Sequence, residues 1–64
     1  MILVTKNNVY INCYNICTAG SVDDNTIMVN NQLIAFKESE EKDEVLKNIK
    51  QYLEVTAQEG VKYL

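Results

Sequence analysis

The most reactive side chains in this 64-residue sequence belong to Cys13 and Cys17, and no histidine accompanies them. A Cys-x3-Cys pair with neither a second pair nor a histidine cannot complete a tetrahedral zinc site within one chain. With Cys13 in a strand, the two Cα atoms would stand roughly 13 Å apart at about 3.3 Å per residue, beyond disulfide reach. Neither cysteine has an evident activating neighbour, so both are read as reduced, packing thiols. The lack of histidine also removes Ser-His and Cys-His nucleophile pairs. Asp23-Asp24 has the composition of an acid–base or metal pair, but beside Asn25 it reads as turn chemistry. Gly20 stands alone, so no glycine-rich loop can cradle a phosphate. The residues therefore predict no enzyme, no cofactor and no metal.

Two constellations suit binding better than catalysis. Glu38, Glu40, Glu41, Asp43 and Glu44 place five carboxylates within seven residues. Such a cluster could imitate a row of phosphates or dock onto a basic protein. It also suits the positive end of a helix, which is the simpler explanation. Tyr10 and Tyr14 have the rings to stack on bases, or to anchor a protein contact. Lys6 is the only lysine near them, so the protein contact is the preferred reading.

Charge and composition narrow the classes further. Net charge is −3 and all six basic residues are lysines. Without arginine or a basic stripe, nucleic-acid binding is disfavoured, because neutralised phosphates supply most of that affinity. Met1-Ile2-Leu3-Val4 lacks the basic flank of a signal peptide, and no run approaches a membrane span. A cytoplasmic location with no membrane partner is expected. The load of Asn, Ile and Lys, with no proline or tryptophan, suits an A/T-rich coding sequence from a low-GC bacterium or its phage. Residues 1–64 make one small domain whose core alone is marginally stabilising, and with disulfide and metal set aside oligomerisation is the remaining support.

The elements that must hold these residues follow from periodicity. Met1 to Thr5 reads as a short strand, Asn7-Asn8 as a two-residue turn, and Val9 to Cys13 as the returning strand. That turn sets Val4 opposite Ile11 and Ile2 opposite Cys13 on one face, with Leu3 opposite Asn12 and Met1 opposite Tyr14 on the other. Ile16 to Val22 is a weak strand, and Thr26–Val29 with Gln32–Phe36 forms a second hairpin around Asn30-Asn31. The meander spans 1–36. A helix is predicted over 39–58: Ser39 is its cap, Val45, Leu46, Ile49, Tyr52, Leu53, Thr56 and Ala57 form its apolar stripe, and Gly60 is its stop. It would be about 28 Å long against strands of about 17 Å, so its end and the tail 59–64, with Val61, Tyr63 and Leu64, form a second contact surface.

Both sheet faces are apolar, and one helix covers only one of them. The other, predicted to carry Met1, Leu3, Tyr10, Tyr14, Met28 and Leu33, needs a partner or a second copy.

The segments Tyr10-Ile11-Asn12, Asn15-Ile16, Asp24-Asn25-Thr26-Ile27 and Phe36-Lys37-Glu38-Ser39 together resemble the FlbD-like family of small flagellar and swarming motility proteins. The resemblance covers roughly residues 1 to 50, and small phage proteins share much the same plan. It departs at Lys6-Asn7-Asn8, at Asn12-Cys13-Tyr14 and at Asn30-Asn31. The matching positions are turns, strands and caps, so the likeness implies a fold and carries no catalytic residue.

The expected architecture is α+β: a twisted antiparallel β-meander of four or five strands with one C-terminal amphipathic helix on one face. The expected function is non-enzymatic binding by a homo-oligomer that docks onto a larger protein, as a phage- or mobile-element-encoded inhibitor or modulator of a host or defence protein. The alternatives are a motility accessory protein, an acidic nucleic-acid mimic, and an oligomer that sequesters a small molecule at its interface.

Overall fold

The computed structural model describes residues 1–54 and 59–64. The fold is α+β, with six strands and one helix among the described residues: β1 (Ile2–Val4), β2 (Tyr10–Asn12), β3 (Ala19–Ser21), β4 (Thr26–Val29), β5 (Gln32–Ala35), α1 (Ser39–Glu54) and β6 (Val61–Tyr63). The strands do not form one continuous meander. They divide into two three-stranded sheets, ordered β2-β1-β6 and β3-β4-β5. The second sheet is antiparallel throughout, and α1 packs on its β3 and β4 strands.

The first hairpin differs from expectation by one residue of register. Ile2 pairs with Asn12, Leu3 with Ile11 and Val4 with Tyr10. The cause is the turn, which uses three residues, Lys6-Asn7-Asn8, instead of two. Thr5 N–H donates to Val9 C=O at 3.0 Å, Asn8 N–H donates to Thr5 C=O at 3.0 Å, and Asn8 takes the left-handed conformation at φ 61°. A type I turn closed by a left-handed residue is the usual three-residue hairpin loop, and asparagine tolerates that position. The Thr5 hydroxyl also accepts the Val9 N–H at 3.1 Å. A one-residue slip turns every β1 side chain to the opposite face. Met1 and Leu3, expected at an exposed interface, are therefore buried in the core.

The second hairpin is as expected, with Ile27 opposite Ile34 and Met28 opposite Leu33. Asn30 and Asn31 carry φ of 49° and 69°, the two positive values of a type I′ turn. The weak third strand is shorter than expected, and Ile16 before it enters the core.

Helix α1 begins where predicted, but its first bond runs from Lys42 N–H to Glu38 C=O at 3.2 Å. That makes Glu38 the capping position, with Ser39 the first helical residue. The stripe buries Val45, Leu46 and Ile49, leaves Tyr52 half-buried and leaves Leu53 largely exposed. The last part of the predicted helix, 55–58, lies outside the described residues.

The tail is a strand, not an overhanging end. β6 runs parallel to β1, with Ile2 opposite Val61, Leu3 opposite Lys62 and Val4 opposite Tyr63. Ile2 N–H donates to Gly60 C=O and Leu64 N–H to Val4 C=O, both at 2.8 Å. Gly60 turns the chain into β6 at φ 93°, a value that strains any residue with a Cβ. Leu3, Ile27, Ile49, Val45 and Cys13 are the largest fully enclosed side chains, so the core joins both sheets to one face of α1.

Candidate functional site

Directly opposed residues on neighbouring strands share a face. The β2-β1-β6 register therefore aligns Tyr10, Val4 and Tyr63 in one row, and Asn12, Ile2 and Val61 in the next, on the face turned away from the core. Tyr10 is 70% exposed and Tyr63 76% exposed, while Val4 between them is only 4% exposed. Val4 nevertheless lies outside the contiguous core cluster.

Tyr14 extends the same surface. Its N–H donates to the Asn12 side-chain oxygen at 2.9 Å, and its hydroxyl accepts the Gly60 N–H at 3.4 Å. The ring thus reaches from the end of β2 toward the start of β6. The two rows contain no charged residue, in a chain of net charge −3. An exposed, uncharged surface with three tyrosines fits protein recognition, because tyrosine offers large contact area at low entropic cost.

The predicted interface is thus split. Tyr10, Tyr14, Val61 and Tyr63 come together on the first sheet, joined by Ile2 and Val4, whose expected place is the opposite face, with Ile11 and Cys13. Met28 and Leu33 are exposed on the outer face of the second sheet, in line with Gly20. Met1 and Leu3 belong to neither surface. Leu64 is half-buried against the core. Tyr63 was legible as an apolar tail residue; its place across Val4 from Tyr10 depends on a parallel pairing between the two ends of the described chain, which local pattern does not encode.

The acidic segment is partly engaged within the fold. Glu41 Oε1 accepts the Asn7 side-chain N–H at 3.1 Å. The Thr5 hydroxyl, opposed by partial burial and aided by Asn7, holds the Glu41 carboxyl below the ordinary glutamate value. Asp43 pairs with Lys42 at 2.8 Å, and the buried Lys42 also donates to the Ser21 hydroxyl at 3.2 Å. Glu38, Glu40, Glu41 and Glu44 border a small cleft with Lys6 and Leu64, of about 120 Å³. A lysine inside the segment and another at the cleft dilute the field that a phosphate mimic requires.

The remaining chemistry-bearing residues have structural work. Asp23 accepts the Asn25 N–H at 2.9 Å, and that bond is the main reason its carboxyl lies below the ordinary value. Cys13 is buried and its thiol is pushed up by desolvation, while Cys17 is exposed; both are free. Among the described residues, no group of three or more Cys, Asp or Glu side chains is arranged to hold a metal ion. Asn30 does more than turn the chain. Its side-chain oxygen accepts the N–H groups of Cys17 at 2.8 Å and Thr18 at 3.2 Å, and its amide donates to Asn15 C=O at 2.7 Å. It fastens the long loop before β3 to the second hairpin.

No protein-family model, curated protein or solved structure matches this chain.

Proposed function

We propose that this chain is a small, non-enzymatic protein-binding module whose contact surface for a larger partner is the tyrosine-bearing face of the β2-β1-β6 sheet. The observation that supports this is the row Tyr10, Val4, Tyr63, in which two widely exposed rings flank a shielded valine on a face without charge. Such rings are common energetic centres of protein interfaces. The acidic helix start is the weaker candidate, because Glu41 and Asp43 already have partners within the fold.

The narrower reading, an inhibitor or modulator carried by a phage or mobile element, is supported by small size and by the Asn-, Ile- and Lys-rich composition. The FlbD-like resemblance supports a motility accessory role instead. The genes flanking the coding sequence separate the two.

The binding test is an affinity capture from the native host with the wild-type chain, repeated with Tyr10→Ala combined with Tyr63→Ala. The tyrosine change should abolish capture of the specific partner, while raising the salt concentration should alter it little. Capture that survives the tyrosine change but is lost when Glu38, Glu40 and Glu44 are reversed to lysine would sink this assignment in favour of the acidic segment.

A further inference from the structure

We propose that the free edge of β5 is a self-pairing edge, through which a second copy of this chain extends the β3-β4-β5 sheet from three strands to six. The two-residue Asn30-Asn31 turn makes Val29 and Gln32 the first hydrogen-bonded pair of its hairpin. The alternation then makes Ile27 and Ile34 the next such pair and Asn25 with Phe36 the third, where the Phe36 N–H donates to Asn25 C=O at 2.8 Å. Leu33 and Ala35 fall between these pairs, so their N–H and C=O groups point away from β4. Among the described residues β5 pairs with β4 alone, which leaves those groups on an open edge. Native edges are ordinarily protected by charge, proline or a bulge. Gln32-Leu33-Ile34-Ala35 has neither charge nor proline, its pairing with β4 is continuous, and Leu33 is 64% exposed.

The other edges are less suited. Self-pairing of all three β6 residues would set Lys62 against Lys62 of the second copy, a like-charge opposition. All three β2 residues line a crevice walled by the loop at Asn15-Ile16 and by the second hairpin; of β5 only Gln32 and Ile34 line it, and Leu33 and Ala35, which carry the outward backbone groups, do not. β3 offers only Ala19, Gly20 and Ser21, and the Ser21 hydroxyl is engaged by Lys42.

On β5 a twofold axis at Leu33 sets Leu33 opposite Leu33 of the second copy and Gln32 opposite its Ile34. That register preserves the inner and outer faces and brings no two charges together, which matters for two copies that each carry −3. It also continues the outer row Gly20, Met28, Leu33 into the same row of the second copy, making one apolar stripe across six strands. The edge pairing uses none of the tyrosine face, so one surface stands or falls without the other.

Sedimentation equilibrium of the full chain across micromolar concentrations tests this. The wild type should be dimeric. Leu33→Lys and Leu33→Glu should each raise the dissociation constant about tenfold or more, with far-UV circular dichroism unchanged. An equimolar mixture of the two variants should dimerise again, because the twofold register sets lysine against glutamate. Ala35→Pro, which removes an outward N–H, should also yield monomer. Tyr10→Ala with Tyr63→Ala should leave the dimer intact. A monomeric wild type, a dimer that persists in Leu33→Lys, or variants that fail to recover on mixing would each overturn the proposal. So would loss of the dimer in the tyrosine variant.

Discussion

Tyr10 and Tyr63 lie on either side of Val4, each in direct register with it, one brought there by an antiparallel strand and the other by a parallel one. Their separation is two strand spacings, about 10 Å, so each tyrosine stands nearer to Val4 than to the other tyrosine. Replacing either tyrosine with alanine should cost about 0.5–1.5 kcal/mol by exposing apolar surface of Val4 and losing ring contacts. The double variant should depart from the sum of the singles, because both rings have Val4 as a shared neighbour. Urea denaturation of the four proteins measures this, and strict additivity would show that Val4 does not couple them.

The two asparagines of the second turn should respond in opposite ways to the same change. Asn31 has φ 69° and makes no side-chain hydrogen bond among the described residues, so Asn31→Gly should be neutral or slightly stabilising. Asn30→Gly relieves the same kind of backbone strain but removes three hydrogen bonds to the loop at residues 15–18. A loss of about 1–3 kcal/mol is expected, at roughly 1 kcal/mol per bond. Thermal melts of the two variants compare them directly, and equal stability would mean that the Asn30 clamp is energetically idle.

The thiols should be kinetically distinct. Cys17 is exposed and should react with an aromatic disulfide reagent as fast as a free peptide thiol does. Cys13 is enclosed, with its Sγ 3.8 Å from the Ile11 carbonyl oxygen, and its thiol is pushed up by burial. It should react only as the domain opens, accelerating with denaturant. Two equally fast thiols in native buffer would contradict the buried position of Cys13.

Acid should weaken the contact between the first hairpin and the helix start. The Glu41 carboxyl lies below its ordinary value of 4.5 in the folded chain, chiefly through the Thr5 hydroxyl. A depressed carboxyl contributes stability that is fully present above the ordinary value and is lost as pH falls through the folded one, because the unfolded chain takes up the proton first. Asp23 acts in the same direction through its bond from Asn25. Stability measured from pH 7 down to pH 3 should therefore fall below about pH 5. Glu41→Gln should flatten part of that fall, and an unchanged slope would assign the acid sensitivity elsewhere.

The sequence made the second hairpin, the helix start and the buried stripe around Ile49 readable, because each is written in local spacing. The three-residue loop at Lys6-Asn7-Asn8 was not readable: two asparagines fit a two-residue turn equally well, and the choice is settled by Thr5, whose backbone and hydroxyl both close on Val9. That single residue of register decided whether Leu3 faced the core or solvent. Ile2 and Val4 on the tyrosine face, and Tyr63 across Val4 from Tyr10, depend on that slip and on the return of β6. Both are long-range outcomes to which neither periodicity nor propensity speaks.

The parallel seam between β1 and β6 also fixes an order of events. β1 is the middle strand of its sheet and is made before the other described strands, whereas β6 is made after all of them. During synthesis the first sheet can be no more than a two-stranded ribbon, which has little stability of its own. Its closure spans the longest sequence separation of any strand pairing among the described residues, so the chain should condense around the second hairpin and the helix before the seam zips. The tyrosine row is completed only by that last step. A nascent or clipped chain lacking β6 would then carry Tyr10 and Val4 without Tyr63, an incomplete row.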